Sequence, residues 1–264
     1  MKSGLRSAKL KLSRAKKHVS ALKRSIAAYT TQKPYKVVSK AKGEKKINVP
    51  KSPPARISIL AGEVVYQMRS ALDHLVFHVI KRNPKVASID PDWFEHCEFP
   101  LRLRLKPGQK PPLSKRYFSS ALPGISDPEF TFIESVQPYY RVGTVNNAMR
   151  YLRILSNIDK HRHLHSMRVR VQAFHNVRFA SGFRSRGYQT FDRGAKFKSA
   201  IGESAWEPSD RPVYVNRRYR SFVAFNEKEL GAASGLAMDY LLEIILEQIE
   251  TIIVPAFEKF INGP

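Results

Sequence analysis

The stretch QMRSALDHLVFH, residues 67–78, carries ionisable side chains inside a segment that otherwise has the apolar pattern of a buried helix. Its apolar residues recur at the three- and four-residue spacing of one helix face; they are Val64, Val65, Met68, Leu72, Leu75, Val76 and Val79. Charged groups are costly to bury without partners. We therefore expect other segments to supply partners for the ionisable residues, which are Arg69, Asp73, His74 and His78.

The charge of the whole chain predicts a polyanionic partner. Its 264 residues contain 46 Lys and Arg but only 22 Asp and Glu, which gives a net charge of +24 and a pI near 10.2. Basic groups in such excess gain from counterion release on nucleic acid and from attraction to an anionic membrane surface. RNA or another nucleic acid is the partner that we favour.

The cysteine content excludes two kinds of structure. Cys97 is the single cysteine, so the chain can form neither an internal disulfide nor a cysteine-based zinc cluster. This composition is typical of a reducing compartment, and we expect a cytoplasmic protein.

Positive charge is concentrated at the N-terminus, where residues 1–51 contain 16 Lys and Arg and a single acid, Glu44. An apolar stripe at helical spacing predicts an amphipathic helix over residues 4–30; its members are Leu5, Ala8, Leu12, Ala15, Val19, Leu22, Ile26 and Tyr29. The pattern is compatible with a mitochondrial presequence or a membrane-surface helix. We favour a helix that packs on its own domain, because a regular stripe of this length more often does so.

The segments that follow predict a hairpin, a helix and an irregular region. Short apolar runs on both sides of SKAKGE indicate a basic hairpin, and KSPP precedes a helix over residues 56–81. Residues 83–140 are rich in Pro and Gly. The runs FPLRLRL, ALPGI and SVQPYY indicate short strands, turns and a loop-rich crossover there.

The second half of the chain predicts a helix, a sheet and a final helix. The helix is capped by Thr144 or the asparagines after it; its apolar residues are Met149, Leu152, Leu155 and Ile158. Apolar and polar residues then alternate from 167 to 225, which is the period of antiparallel strands. We expect residues 236–257 to be a helix that bends or ends near Pro255. It is not a transmembrane segment, because it would bury Asp239, Glu243, Glu247 and Glu250 in the bilayer.

Together these elements predict an α+β fold, a helical bundle of about four main helices with an inserted antiparallel β-sheet. We divide the chain into a basic N-terminal helix and hairpin, residues 1–55, and a main α+β domain, residues 56–264. We expect the two parts to pack as one compact unit.

The polar residues of the second predicted helix fall on two faces. At roughly 100° per residue, Glu63 and His74 share one face, whereas Arg69 and Asp73 share another. Arg69 and His74 therefore point about 140° apart on a straight helix. They meet at one substrate only if Arg69 extends along the helix, if the helix is kinked, or if a second subunit supplies one of them. The structural alternative is an ordinary Arg69–Asp73 ion pair with a polar network around His74 and Glu63.

A second polar cluster, LSNIDKHRHLH at residues 155–165, ends the next helix. Its candidate nucleic-acid ligands are Asn157, Asp159, Lys160, His161 and Arg162. His161 and His165 have the i, i+4 spacing of metal ligands, but no third fixed ligand accompanies them. We therefore predict no metal and no cofactor.

The strings GEVVYQMRSALDHLVFHV and LRILSNIDKHRHLH resemble the signature of a widespread family of uncharacterised bacterial proteins. In that family an RSALDHL helix and a later NIDKHR segment occur in a similar helical order. The resemblance covers the chain from the first helix through Arg162 and implies no particular reaction. The pair Arg69 and His74 is also similar to the motif of the HEPN superfamily, in which a His follows an Arg after four to six residues. HEPN proteins are helical bundles, and many are metal-independent ribonucleases.

The HEPN resemblance implies a role for each polar residue. His74 would be the general base or acid at a ribose 2′-hydroxyl or at the leaving oxygen, because its pKa lies near working pH. Arg69 would hold the scissile phosphate, and Asp73 or Glu63 would orient the imidazole. The residues of NIDKHR would position the nucleic-acid backbone, and a homodimer would bring two motifs together.

We therefore expect a basic intracellular nucleic-acid-binding protein with HEPN-like, metal-independent ribonuclease activity. The main alternative is a non-catalytic interaction protein, whose polar motifs form a buried network while its basic N-terminus binds a polyanion. A peripheral membrane protein is the third interpretation. The enzyme predicts that Arg69 and His74 reach solvent in one groove or across a dimer interface. The structural protein predicts that both side chains bond to other residues inside the core.

Overall fold

A computed structural model describes residues 3–39, 44–141, 147–161, 164–179, 184–193, 195–198 and 212–262. It confirms the predicted α+β class: the described residues contain eight α-helices and two three-stranded antiparallel sheets. The chain forms two compact units. The helical unit comprises residues 1–22, 58–165 and 227–264, and the β-unit comprises residues 23–57 and 166–226. The predicted division of the chain into residues 1–55 and residues 56–264 stays a prediction.

Four long helical segments correspond to the four predicted main helices. They are α1 (Ser3–Thr31), α2 (Ala55–Ile80), α6 (Ala148–His161) and a C-terminal segment of α7 (Met238–Gln248), a π-helical turn (Ile249–Ile253) and α8 (Val254–Asn262). Three shorter helices were not predicted; they are α3 (Val86–Ile89), α4 (Trp93–His96) and α5 (Asp127–Ser135). None of the helices in the described ranges is both long and apolar enough to cross a membrane.

Helix α1 forms where its apolar stripe predicts it. Every residue of the stripe from Leu5 to Tyr29 is buried, and Ala8, Ala15 and Leu22 are fully covered. A stripe buried over this whole length confirms that α1 packs within the fold of its own chain. Helix α6 begins as predicted after an asparagine cap, because Asn147 Oδ1 accepts the backbone N–H of Arg150 at 3.0 Å.

The strands predicted between residues 83 and 140 are wrong. All of these residues are described, and none forms a strand. In FPLRLRL, side chains take the place of a neighbouring strand: the backbone N–H of Arg102 donates to Gln137 Oε1 at 2.9 Å, and Gln137 Nε2 donates to the carbonyl of Pro100 at 2.8 Å. Further along, the N–H of Leu113 donates to Glu134 Oε1 at 2.9 Å. The backbone groups are therefore satisfied without a ladder.

The β-unit holds both sheets. Their strands are β1 (Lys36–Ser39), β2 (Glu44–Asn48), β3 (Met167–Phe179), β4 (Arg184–Phe191), β5 (Lys196–Lys198) and β6 (Pro212–Phe225). Strands β1 and β2 form the predicted hairpin, and β5 pairs with β2. Strand β3 lies between β4 and β6 in the other sheet. The single inserted sheet of the prediction is thus two sheets, because β5 joins the hairpin.

The final helix continues past Pro255. The π-helical turn over Ile249–Ile253 lies just before this proline. A π-turn changes the local hydrogen-bond spacing, which accommodates a residue that has no backbone N–H. The predicted irregularity near Pro255 is confirmed, and the helix neither ends there nor stops at residue 257.

Replacing Gln137 with Ala should destabilise the fold. Gln137 is 2% exposed and its amide makes hydrogen bonds to Arg102, Pro100 and Ile133, so the variant leaves buried backbone groups without partners. We expect a loss of about 1–3 kcal/mol in the free energy of unfolding, measured by urea titration. The exposed Gln32→Ala is the matched control. Equal losses in the two variants would show that Gln137 does not hold this segment.

Candidate functional site

Arg69 and Asp73 lie one turn apart on α2, and this spacing brings their side chains together. Arg69 Nη2 is 3.1 Å from Asp73 Oδ1 and 3.0 Å from Glu98 Oε2. The backbone N–H of Phe99 donates to Asp73 Oδ1 at 2.9 Å. These three charged residues form an ion-pair cluster that ties the segment around Phe99 to α2. We call Arg69, Asp73 and Glu98 the Arg69 cluster.

The cation of the Arg69 cluster is buried and its outer carboxylate is exposed. Arg69 is 2% exposed, whereas the side chain of Glu98 is 49% exposed. Nη2 makes both ion-pair contacts, and Nε and Nη1 of Arg69 have no hydrogen-bond partner among the described residues. A guanidinium does not lose its proton when it is buried, so its charge depends on the two carboxylates. Arg69 is covered by its surroundings, so a phosphate would reach it only if the residues that cover it moved aside.

The Asp73 carboxyl and the Cys97 thiol have raised pKa values, which favour their neutral forms. Burial raises the pKa of Asp73, and Glu98 adds to this effect, while Arg69, the Phe99 N–H and Lys160 of α6 lower it. Burial also raises the pKa of the Cys97 thiol to about 12, with contributions from the two carboxylates. The thiol therefore stays protonated at neutral pH and is not a nucleophile.

His74 contacts α1 instead of Arg69. Its Nδ1 is 2.9 Å from Ser7 Oγ. Burial lowers the pKa of His74, and the charge of Lys11 lowers it further, while Asp73 opposes them. The imidazole is therefore neutral at neutral pH and can exchange a hydrogen bond with the Ser7 hydroxyl. His78, one turn further on, also has a lowered pKa, mainly because of burial.

Glu63 lies at the other end of the α2 surface that meets α1. It is exposed, and its Oε2 is 3.9 Å from His18 Nε2. That nitrogen accepts a hydrogen bond from Arg14 Nε at 3.0 Å. Eleven residues separate Glu63 from His74, about 16 Å along a helix. Glu63 therefore does not orient the imidazole of His74.

Asp159 of α6 packs against α2 at a glycine. A Cβ atom on Gly62 would lie 2.4 Å from Asp159 Oδ1. The same oxygen is 4.0 Å from His165 Nε2, and the carbonyl of His165 accepts a hydrogen bond from Ser58 Oγ at 2.7 Å. Burial raises the pKa of Asp159. Asp159 thus lies where α2 and α6 approach closely, which explains a glycine in the interior of α2.

The other predicted ligands of the NIDKHR segment are described only in part. Asn157 is half-buried and Lys160 is exposed. His161 is the last residue of α6, and Arg162 lies outside the described residues. In the described part of the chain, no group of three or more His, Cys, Asp or Glu is placed to hold a metal ion.

The structure brings Arg69 to Asp73, as the i, i+4 spacing predicts, and gives Arg69 and His74 different partners. Helix α2 is continuous through this region, so their side chains diverge as expected for a straight helix. Sequence reasoning missed Glu98 and Ser7, which carry no periodic signal. It also missed Gly62, although a glycine inside a strongly apolar helix is itself a signal of close packing.

Replacing Arg69 with Met should destabilise the fold strongly at pH 7. The variant leaves the Asp73 carboxylate without its cation, and losing one partner of a buried ion pair typically costs about 3–5 kcal/mol. Some carboxyl groups have a higher pKa in the folded state than in the unfolded state. Such a group stabilises the fold at pH values below its unfolded pKa. This contribution is lost as the pH rises through the folded pKa. Since burial raises the pKa of Asp73, we expect a smaller loss at about pH 4.

Urea unfolding at the two pH values measures this difference. The exposed Arg104→Met, in the same unit, is the matched control and should change the free energy of unfolding by less than about 0.5 kcal/mol at either pH. A loss from Arg69→Met that is equal at both pH values would contradict the assignment of the uncompensated charge to Asp73.

Comparison with known proteins returns no match: no family model, no curated protein sequence and no solved structure corresponds to this chain. The resemblances to the RSALDHL and NIDKHR proteins and to the HEPN superfamily therefore stay predictions.

Proposed function

We propose that this protein binds nucleic acid, with RNA as the favoured ligand, through its β-unit. The observation that carries the proposal is the division of charge between the units. Residues 23–57 and 166–226 contain 22 of the 46 Lys and Arg but only 5 of the 22 Asp and Glu, a net charge of +17. The remaining residues of the chain contain 24 basic and 17 acidic residues, a net charge of +7.

Ion pairs within the helical unit occupy some of the lysines that this unit presents. Lys9 Nζ is 2.5 Å from Glu258 Oε1, and Lys16 Nζ is 2.7 Å from Glu250 Oε1. The first half of the basic α1 thus meets acids of the C-terminal helices. In the β-unit, Asp192 is the one acidic residue whose side chain the structure describes, and the described basic side chains of this unit far outnumber it. The β-unit therefore supports polyanion binding better than the N-terminal helix does.

The physics of phosphate binding favours such a surface. Each Lys or Arg that neutralises a phosphate releases condensed counterions, which makes binding strong at low salt and independent of sequence. RNA is favoured over DNA by the HEPN resemblance of Arg69 and His74. A cytoplasmic location, which the single cysteine favours, would provide that ligand.

In this proposal the Arg69 cluster has a structural role. Two observations support this role: Arg69 is 2% exposed, and its charge is already paired with two carboxylates. The motif residues would then hold the helical unit together while the β-unit meets the ligand. This is the non-catalytic alternative considered from the sequence, with the basic surface moved from the N-terminus to the β-unit.

Charge reversal in the two units tests the location. We expect Arg218→Glu/Arg220→Glu to weaken the binding of a labelled 16-nucleotide RNA about tenfold or more, because both exposed side chains belong to the β-unit. Arg6→Glu/Lys17→Glu makes the same charge change on exposed residues of the helical unit and should have a smaller effect. Fluorescence anisotropy at several salt concentrations measures both. Equal losses, or affinity that does not fall with salt, would overturn the proposal.

A metal-independent ribonuclease is the second candidate function. It is favoured by the neutral imidazole of His74, which lies at hydrogen-bond distance from a hydroxyl and has the protonation state of a general base. Arg69 would serve the phosphate only after the residues that cover it moved aside, because only 2% of it is exposed. A homodimer would supply the Arg and the His from different subunits, and would remove the problem of their divergent directions.

Incubation with mixed RNA in EDTA tests this activity. If it exists, the wild type and His96→Ala, which changes an exposed histidine outside the motif, should cleave RNA, and His74→Ala should not. Melting temperatures of the three proteins should agree within a few degrees. Absence of cleavage by the wild type, or cleavage that survives in His74→Ala, would exclude His74 as the catalytic base.

A further inference from the structure

The two faces of the sheet β4–β3–β6 differ in chemistry. Along β3, Val169, Val171 and Ala173 are buried, and Val223 on β6, which pairs with Val169, is buried as well. Successive side chains of a strand point to opposite faces. The alternate residues of β3 therefore share the other face, and they are partly exposed: Arg168, Arg170, Gln172 and Phe174.

The register extends this second face across β6. Arg218 pairs with Phe174, Arg220 pairs with Gln172, and Phe222 pairs with Arg170. Residues that pair directly across two strands have their side chains on the same face. The face therefore combines four guanidinium groups with two aromatic rings. We call it the arginine face, defined by Arg168, Arg170, Phe174, Arg218, Arg220 and Phe222.

Contacts within the arginine face hold some of these groups in place. The guanidinium carbon of Arg220 lies 5.7 Å from the centroid of the Phe174 ring, a cation–π distance. Asp192 Oδ1 is 3.0 Å from Arg170 Nε, and its Oδ2 is 3.7 Å from Arg168 Nη1. One carboxylate thus meets two of the four arginines, while Arg218 and Arg220 are exposed. The described side chains of the face retain a net positive charge.

Rings interleaved with guanidinium groups suit a ligand that has both phosphates and free base planes. Unpaired bases stack on aromatic side chains and on arginine planes, whereas a duplex hides the faces of its bases. A lipid surface offers anionic groups without base planes. The composition of the face therefore favours a single strand over a duplex and over a membrane.

We propose that the arginine face binds single-stranded nucleic acid, with bases stacked on Phe174 and Phe222 and phosphates held by Arg218 and Arg220. This inference rests on the nucleic-acid binding proposed above and specifies its ligand. Four residues of strand separate the positions opposite the two rings, about 13 Å along the sheet. One base cannot bridge that distance, so each ring takes a different base of the strand.

The experiment compares three labelled probes by fluorescence anisotropy at one salt concentration. They are a 16-nucleotide oligouridylate, an abasic strand with the same number of phosphates, and an RNA duplex of the same length. Wild-type protein should bind the oligouridylate more tightly than either of the others. Phe174→Leu should weaken oligouridylate binding about tenfold, the effect of losing one stacked base, and should leave the abasic probe within about twofold.

Two further variants separate stacking from folding. Phe174→Tyr keeps the ring and should keep wild-type affinity for the oligouridylate. Tyr240→Leu removes an exposed ring from the helical unit and should change no affinity. If Phe174→Leu melts well below the wild type, Phe222→Leu provides the same comparison on β6.

The outcomes distinguish this inference from the proposed function. Wild-type protein that binds the oligouridylate and the abasic strand with equal affinity would overturn stacking. The same conclusion would follow if Phe174→Leu and Phe222→Leu each weakened the binding of these two probes equally. In either case the binding of phosphates would stand. Absence of binding to all three probes at low salt would overturn the proposed function as well. Binding to phosphatidylserine vesicles without binding to any probe would overturn both in favour of a membrane surface.

Discussion

The buried guanidinium of Arg69 sets the arrangement of the residues around α2. Arginine keeps its proton at any pH that a folded protein meets, so a core that contains it must also contain carboxylates. Asp73 comes from the next turn of the same helix. Glu98 comes from an irregular segment, which the hydrogen bond from the Phe99 N–H to Asp73 attaches to the helix. Phe99 itself is fully buried, and its ring centroid lies 6.2 Å from that of Phe257 in α8. The pairing of Arg69 on α2 thus holds the segment of Glu98 and Phe99 in place, and Phe99 is itself part of the core.

The two units use their charge in opposite ways. In the helical unit, lysines of α1 contact glutamates near the C-terminus, and the Arg69 cluster places two acids on one cation. In the β-unit, four arginines and two aromatic rings share one sheet face, where Asp192 contacts two of the arginines. The net charge of the chain predicts a polyanionic partner, but it does not say which part of the fold presents the charge. The ion pairs of the folded chain show which lysines are paired with acids of the same chain.

The sequence predicts elements whose signal is periodic and local. Helices α1 and α2 begin and end within one or two residues of their predicted bounds, because each has an apolar stripe at helical spacing. The i, i+4 pair of Arg69 and Asp73 follows from the same geometry. The prediction of strands around FPLRLRL was wrong because the backbone there bonds to the side chain of Gln137, about 35 residues later in the chain. Glu98 was missed for a similar reason, since no local pattern marks a loop carboxylate that pairs with a distant helix.

The spacing of Arg69 and His74 has a physical explanation that does not require a shared substrate. Side chains five residues apart on a straight helix point in different directions, and here one contacts Glu98 while the other contacts Ser7 on α1. Two separate packing surfaces are enough to account for both residues. Catalysis would require the residues that cover Arg69 to move aside, because only 2% of it is exposed, and such a local opening costs free energy. The exposed arginines of the β-unit bear no such cost. In the proposed function, the phosphates of the ligand would therefore be bound by the exposed arginines of the arginine face and not by the buried cation of the RSALDH motif.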